Sequence, residues 1–599
     1  MKRFLTLFLL TVLIQLPGKS QDLLASVPED TLAVFVIHDL PSLETKREIT
    51  PLRHLPQLES LELASPELQS VLTHLRQLQA QIDGEVLLRI ANPGAALKDL
   101  MALQQERGLR WENLDLSAEE DPELDDLLAR QEAMRQQSYE TLRALVVFQA
   151  HIRDAEAVEA LLADLKTHLP ALHWAVENQR LTLTFSETGV TEAKALLNAD
   201  EHRPLSATPD FLQTMEALGR QDTLMYVNLP QIVALFSPIL ETIQEETPQF
   251  DLAPFTAWLE PEALLPMAFS SYIAVPPRDL VLRSHYGFRR ETGLASLLLG
   301  KNDAPAPTPE FVHRDVDQML SMHWHPAETL RNVQLDLSRL SPQLGIAFGF
   351  FKMTLNVNLG LDIETQFLQT LGSGLTIVSV TDHAVVEQLA QLQNLEDPAA
   401  LLALSQQYPT GGLYYLIGFE LEDADTFRTS LETLITKLTQ SPLPAPIQDG
   451  DIEKTFLFTH ATGLPAELRT QIAGTFLGDH WLLAVGDTSL LHRAHEAQQD
   501  ESLRLWTRED YLATRATLPA EAQSLNYTSG KELQNSLRQL QTGAEFLSML
   551  SGGAVTFSGS LPEAPLFLNS IGTAVRKDQR FINETRLRFA PAGTAPAAE

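Results

Sequence analysis

The sequence predicts an α+β fold made of two similar halves, each a mostly antiparallel sheet with helices packed on one face. Three observations lead there. Short apolar runs rich in β-branched residues, such as Leu32 to Ile37, alternate with longer runs at helical spacing. They do so without the sustained β-α-β-α rhythm of a parallel sheet. Strand-like runs also come in hairpin pairs, as in Phe269 to Val275 and Leu280 to Phe288 around the turn Pro276-Pro277-Arg278-Asp279. Finally, elements before residue 300 recur in the same order after it.

The chain opens with a basic pair, Lys2-Arg3, and an apolar run from Phe4 to Leu16 broken only by Thr6, Thr11 and Gln15. Gly18 and Ser20 put small residues at −3 and −1 of a cut after Ser20. This pattern predicts a signal peptide over 1–20. The mature chain is then exported, periplasmic or extracellular. No later run reaches about 20 unbroken apolar residues, so no transmembrane segment is expected after the leader.

The first half covers 21–300. Pro28-Glu29-Asp30-Thr31 turns into the strand Leu32 to Ile37, whose unbroken apolar character predicts burial on both faces. Asp39-Leu40-Pro41 starts a helix. Residues 56–82 carry Leu68, Val71, Leu72, Leu75 and Leu78 at helical spacing, and Asp83-Gly84 turns into the strand Glu85 to Ile90. Residues 92–143 read as inserted helix, with a capping box at Ser117 and Glu120. The acidic run 119–126 lacks the ligand spacing and turn glycine of a calcium loop. After the strand Ala144 to Ile152, Asp154 caps a helix with Val158, Leu161, Leu162 and Leu165 on one side. Strands at His173 to Val176 and Leu181 to Phe185, a helix over Thr191 to Leu197, and a strand to Val227 follow.

Residues 301–312, with three prolines in Ala304 to Pro309, read as a linker. The second half then spans 313–589, and 590–599 is an Ala/Pro/Gly-rich tail of disordered type. Asp30 to Leu43 lines up with Asp317 to Leu330, which sets His38 against His325. Glu85 to Ile90 lines up with Leu375 to Val380, Ile152 to Val158 with Leu421 to Phe427, and Leu181 to Phe185 with Trp481 to Val485. Tyr226 meets Tyr527, and Leu280 to Phe288 meets Phe581 to Phe589. Six elements in one order predict an internal duplication.

Val27-Pro28-Glu29-Asp30-Thr31, followed by an apolar strand and a helix, resembles the opening of a large family of exported bacterial proteins that share a domain of unknown function. Leu359-Gly360-Leu361-Asp362-Ile363 through Leu371-Gly372-Ser373-Gly374-Leu375 is similar to that family's pattern of a Gly-rich turn before a strand. The resemblance implies secretion and an α+β fold over nearly the whole mature chain. It implies no activity, cofactor or catalytic residue.

Composition narrows the partners. The 599 residues hold 44 Lys+Arg against 78 Asp+Glu, a formal net charge of −34. Such a surface repels phosphate backbones, so no nucleic-acid partner is expected. With no cysteine, disulfides, thiolate metal sites and thiol nucleophiles are excluded.

Each chemical motif fails a physical test. Alternation places His323 and His325 of His323-Trp324-His325 on one strand face, but zinc wants three or four ligands and no third is near. His492 and His495 lack the Glu of a zincin helix. Gly300-Lys301 lacks the upstream glycine of a phosphate loop. Gly372-Ser373-Gly374 does not fit Gly-x-Ser-x-Gly, and Ser529-Gly530-Lys531 does not fit Ser-x-x-Lys. No catalytic, cofactor or metal site is therefore expected. One stretch stands out: Leu344 to Leu361 alternates apolar with small or polar residues and reads as a hairpin with one apolar face. Phe348, Phe350, Phe351, Leu355 and Val357 are its candidate apolar surface or pocket wall. The expected function is an exported, non-enzymatic binding or structural protein, with a protein partner or apolar ligand. The alternatives are a carrier of a lipid or other apolar ligand, and a hydrolase with a site assembled from distant residues.

Overall fold

A computed structural model describes residues 23–54, 61–63, 66–93, 143–198, 203–235, 263–274, 279–290, 304–394, 398–459, 471–550, 555–557 and 564–591, with isolated positions between them. The expected leader, most of 92–143 with its acidic run, Gly300-Lys301 and residues 592–599 lie outside the described residues. The chain falls into two units, Met1–Arg290 with Arg538–Glu563, and Glu291–Leu537 with Ala564–Glu599.

In the first unit the strands are β1 (Ala33–Ile37), β2 (Leu61–Leu63), β3 (Ile82–Ile90), β4 (Val146–Ile152), β5 (His173–Glu177), β6 (Arg180–Thr184), β7 (Thr223–Val227), β8 (Met267–Ala274) and β9 (Asp279–Gly287). Every described pairing is antiparallel, and the sheet order is β9-β8-β7-β1-β3-β4-β6-β5. The helices are α1 (Leu40–Glu48), α2 (Pro66–Gln81), α3 (Ala155–His168), α4 (Glu187–Asn198) and α5 (Pro209–Leu218). Asp39 and Asp154 start α1 and α3 as the sequence predicts. The Asp39 carboxylate accepts the N–H of Ser42 at 2.9 Å. That of Asp154 accepts those of Glu156 and Ala157 at 3.0 and 3.1 Å.

The expectation that helices cover one face of the sheet is corrected. Val71, Leu72, Leu75 and Leu78 of α2, with Val158, Leu162 and Leu165 of α3, pack on the face that carries Ile37, Val86, Phe148 and Leu181. The opposite face, with Val34, Val36, Leu87, Leu224 and Tyr226, is covered by Leu23, Leu24 and Val27 and by Phe211 and Leu218 of α5. The cause lies in β1, whose five residues Ala-Val-Phe-Val-Ile are apolar on both sides. Leaving either face in water would forfeit about 1.5–3 kcal/mol for each large side chain.

In the second unit the elements run β10 (Gln318–His323), α6 (Pro326–Leu340), α7 (Pro342–Leu359), β11 (Leu371–Thr381), α8 (His383–Asn394), α9 (Pro398–Gln407), β12 (Leu413–Leu421) and α10 (Ala424–Thr439). Then come β13 (Ile447–Asp449), β14 (Ile452–Phe456), β15 (Ile472–Leu477), β16 (His480–Val485), α11 (Ser489–Gln499), α12 (Glu509–Arg515), β17 (Ser524–Ser529), α13 (Gly530–Leu550), β18 (Val555–Phe557), β19 (Phe567–Lys577) and β20 (Arg580–Phe589), of which β18 and α13 from Arg538 on belong to the first unit. β18 pairs with β2 as a two-stranded ribbon of the first unit. The sheet order is β20-β19-β17-β10-β11-β12-β16-β15-β14-β13, again antiparallel throughout. Both faces are covered here too. Leu490 and Leu491 of α11 and Tyr511 of α12 lie on one, and Phe427, Leu431 and Ile435 of α10 on the other.

Of the Pro-rich stretch 301–312, residues 304–312 are described. Phe311 and Val312 are buried in the core of the second unit, and the Trp506 indole donates to the Pro309 carbonyl at 2.9 Å.

The expected hairpin over Leu344 to Leu361 is a helix. Ser341 caps α7, its hydroxyl accepting the Gln343 N–H at 3.2 Å, with Pro342 in the first turn. Gly360, at φ 69°, closes it in the left-handed conformation. The misleading alternation has a clear origin. Leu344, Phe348, Phe351 and Leu355 form one row at helical spacing, and Ile346, Phe350, Met353 and Val357 another on the opposite flank. Read along the chain, the two rows interleave and mimic a strand.

Candidate apolar docking surface

α7 is held by its polar and small residues. Gly345 faces α6 so closely that a Cβ there would lie 2.7 Å from both Cα and Cβ of Ser338. Gly349 lies one turn further along the same seam, facing Gln334. Glycines four apart let two helix backbones approach closely. Lys352 continues the seam, its ammonium donating to Gln334 Oε1 at 3.1 Å and Glu364 Oε2 at 2.9 Å. Arg331 of α6 pairs with the same Glu364 carboxylate. These two cations hold the Glu364 carboxyl below its ordinary range: the Arg331 hydrogen bond is the larger cause and that of Lys352 the next, against an opposing contribution from burial. Asn356 completes the seam by accepting the Ile363 N–H on its side-chain oxygen at 3.1 Å.

Most apolar residues of α7 stand on its two flanks, to either side of the seam. Leu344, Ile346, Phe350, Phe351, Met353 and Val357 are all exposed, Phe350 and Phe351 at 60% and 61% and Val357 at 74%. Phe348 and Leu355 are half-buried, and the rings of Phe348 and Phe351 lie 6.2 Å apart. The five candidate residues thus share one helix, where they form an outer surface. In α2 the arrangement is reversed, with Val71, Leu72, Leu75 and Leu78 all buried. Among the described residues no single helix is long and apolar enough to cross a membrane. α7 and the segment Ile363–Thr370, bent by 67°, together have the length and composition of a broken span.

The other motifs are placed in structural roles. Nδ1 of His323 meets Ser373 Oγ at 2.9 Å and Nε2 meets the Pro305 carbonyl at 2.8 Å, so both ring nitrogens are engaged. His325 is the residue that precedes α6. His492 Nε2 is 3.0 Å from Asp449 Oδ2, and His495 bonds Gln499. Among the described residues no three His, Asp or Glu side chains are grouped to hold a metal. Gly372 and Gly374 sit under the Glu420 side chain, which accepts the Gly374 N–H at 2.8 Å. Ser529 Oγ donates to Asp317 Oδ1 and accepts the Glu532 N–H, both at 3.2 Å, as a helix cap.

Sequence reasoning passed over the seam itself. The signal was present as Gly345-Ile346-Ala347-Phe348-Gly349, a Gly-x-x-x-Gly step inside an apolar run. No protein-family model matches the sequence, and no curated protein or solved structure matches it at a significant level.

Proposed function

We propose that this chain is an exported, non-enzymatic binding protein whose working surface is the outward apolar side of α7. One observation carries the reading: six large apolar side chains of a single helix face water while its glycines, lysine and asparagine face its neighbour. Burying one such side chain stabilises by about 1.5–3 kcal/mol. Exposed apolar rows that forgo this mark an interaction site. The leader pattern at 1–20 supports export. The carrier alternative asks these side chains to line an enclosed space, and they stand on the outside of the helix. The hydrolase alternative draws no support from the histidines and serines above, which serve caps, strand ends and, for His492 and His495 of α11, bonds to Asp449 and Gln499.

We further infer that the two units arose by duplication of one. Their strand orders correspond from β9 to β5 and from β20 to β15. A bulge falls near the start of β3, between Ile82 and Val86, and of β11, between Leu371 and Leu375. Phe211 packs on Tyr226 at 5.1 Å and Tyr511 on Tyr527 at 6.0 Å, with buried Thr214 and Thr514 three residues on from each helix aromatic.

The chain has no cysteine, so Val357→Cys can carry an environment-sensitive fluorophore without other labelling. A blue shift on adding a bacterial envelope fraction is expected, lost when Ile346, Phe350 and Met353 are all changed to Ser. Unchanged emission against both membrane and soluble fractions rules the reading out.

A further inference from the structure

We propose that the occupant of the α7 surface is a lipid bilayer of low surface charge, with α7 lying in its interfacial region; this rests on the docking reading above. A protein groove takes up one apolar stripe of a helix. α7 instead carries apolar rows on both flanks, one running Ile346, Phe350, Met353, Val357 and the other Leu344, Phe348, Phe351, Leu355. Only a medium that closes around the helix meets both.

Charge points the same way. Between Pro342 and Leu359 the single ionisable side chain is Lys352, and it is turned into the seam against Glu364. No unpaired charge on α7 would be carried into hydrocarbon, where it is strongly disfavoured. The helix is about 27 Å long at 1.5 Å per residue, and with the bent segment after it has the composition of a broken span. Its partner limits the depth. Arg331 and Arg339 of α6 are half exposed, so the helix pair cannot be immersed whole. The result is a helix lying in one leaflet, held there by its two apolar flanks. The chain's net charge of −34 sets the lipid preference, because an anionic surface repels it.

The test is flotation of the mature chain, starting at Gln21, with phosphatidylcholine vesicles in a density gradient. The Val357→Cys fluorophore is read in parallel. The protein is expected to float with the vesicles and its emission to shift to the blue. Replacing a third of the lipid by phosphatidylglycerol at low salt is expected to reduce the floated fraction. The triple change Ile346→Ser, Phe350→Ser and Met353→Ser is expected to lower it at least tenfold with circular dichroism and Tm unchanged. Leu438→Ser, an equally exposed leucine on α10, leaves it unchanged. A protein that stays at the bottom with unshifted emission overturns the bilayer proposal. If the emission then shifts with the protein's own concentration, a second copy covers the surface and the docking reading survives. If it shifts neither with vesicles, nor with its own concentration, nor with a soluble envelope fraction, both fall.

Discussion

The backbone N–H of Leu505 donates to the carbonyl of Val312 at 2.9 Å. The bond ties the short turn Leu505–Thr507, just before α12, to the extended approach to β10. In the first unit Leu205 donates to Val27 at 2.7 Å, between the turn Leu205–Ala207 and the approach to β1. Both leucines are fully buried. The same kind of bond is thus made once in each unit, between segments far apart in sequence.

The buried hydroxyl of Thr514 lies 3.0 Å from both Asn569 Oδ1 and the Asp510 carbonyl, either of which can accept its one proton, and the Asn569 amide in turn donates to Asp510. Thr514→Val leaves both acceptors without this donor in a dry setting. We predict a loss of about 1–3 kcal/mol, seen as a lower urea midpoint at unchanged slope. An unaltered midpoint would show that water replaces the hydroxyl.

Gly345 permits the close approach of α7 to Ser338. Gly345→Val should force the helices apart and weaken the Lys352–Gln334 bond, costing about 1–3 kcal/mol. Thermal unfolding by circular dichroism reads the shift; a variant as stable as the parent would mean that the seam yields.

Substitutions on the outer surface should behave differently. Phe350→Ser and Val357→Ser are expected within about 0.5 kcal/mol of the parent, because neither side chain is packed. Leu72→Ala in α2 removes a fully buried side chain and should cost about 2–5 kcal/mol. Equal losses at the two kinds of site would contradict the orientation of α7.

Glu364 gives a pH signature. Its carboxyl is held below the ordinary range in the folded chain by Arg331 and Lys352. Above that range it is ionised in both states and its stabilising contribution is complete. As the pH falls, the unfolded chain takes up the proton first, and the contribution is lost as the pH passes down through the folded value. Between about pH 5 and pH 3 the urea midpoint should therefore fall more steeply for the parent than for Glu364→Gln. Parallel curves would remove the ion pairs from the account.

Much of the fold was legible because local signals agreed with packing. The carboxylates of Asp154 and Asp423 sit ahead of periodic apolar runs, Asp39 sits two residues before Pro41, and each caps its helix. Two errors have physical causes. In α7 the two apolar rows interleave into an apparent period of two, which masks the helix-end residues Ser341-Pro342 and Gly360. The second concerns the alignment of His38 with His325: Ile37 pairs with Val86 and Thr223, and Met322 with Leu375 and Ser524, so under the duplication proposed above His38 would match His323, two residues earlier. A two-residue slip preserves which side of the sheet each side chain faces, and so leaves no trace in the hydrophobic pattern. The candidate residues Phe348, Phe350, Phe351, Leu355 and Val357 were legible as a group, because their apolar excess does not depend on which secondary structure carries them.

The seam and the outer surface of α7 share no residue. Gly345, Gly349, Lys352 and Asn356 decide how the helix is held, and Ile346, Phe350, Phe351 and Val357 are what it presents to solvent. Selection can therefore rewrite the outward chemistry of this helix, residue by residue, while its attachment to the domain stays as it is.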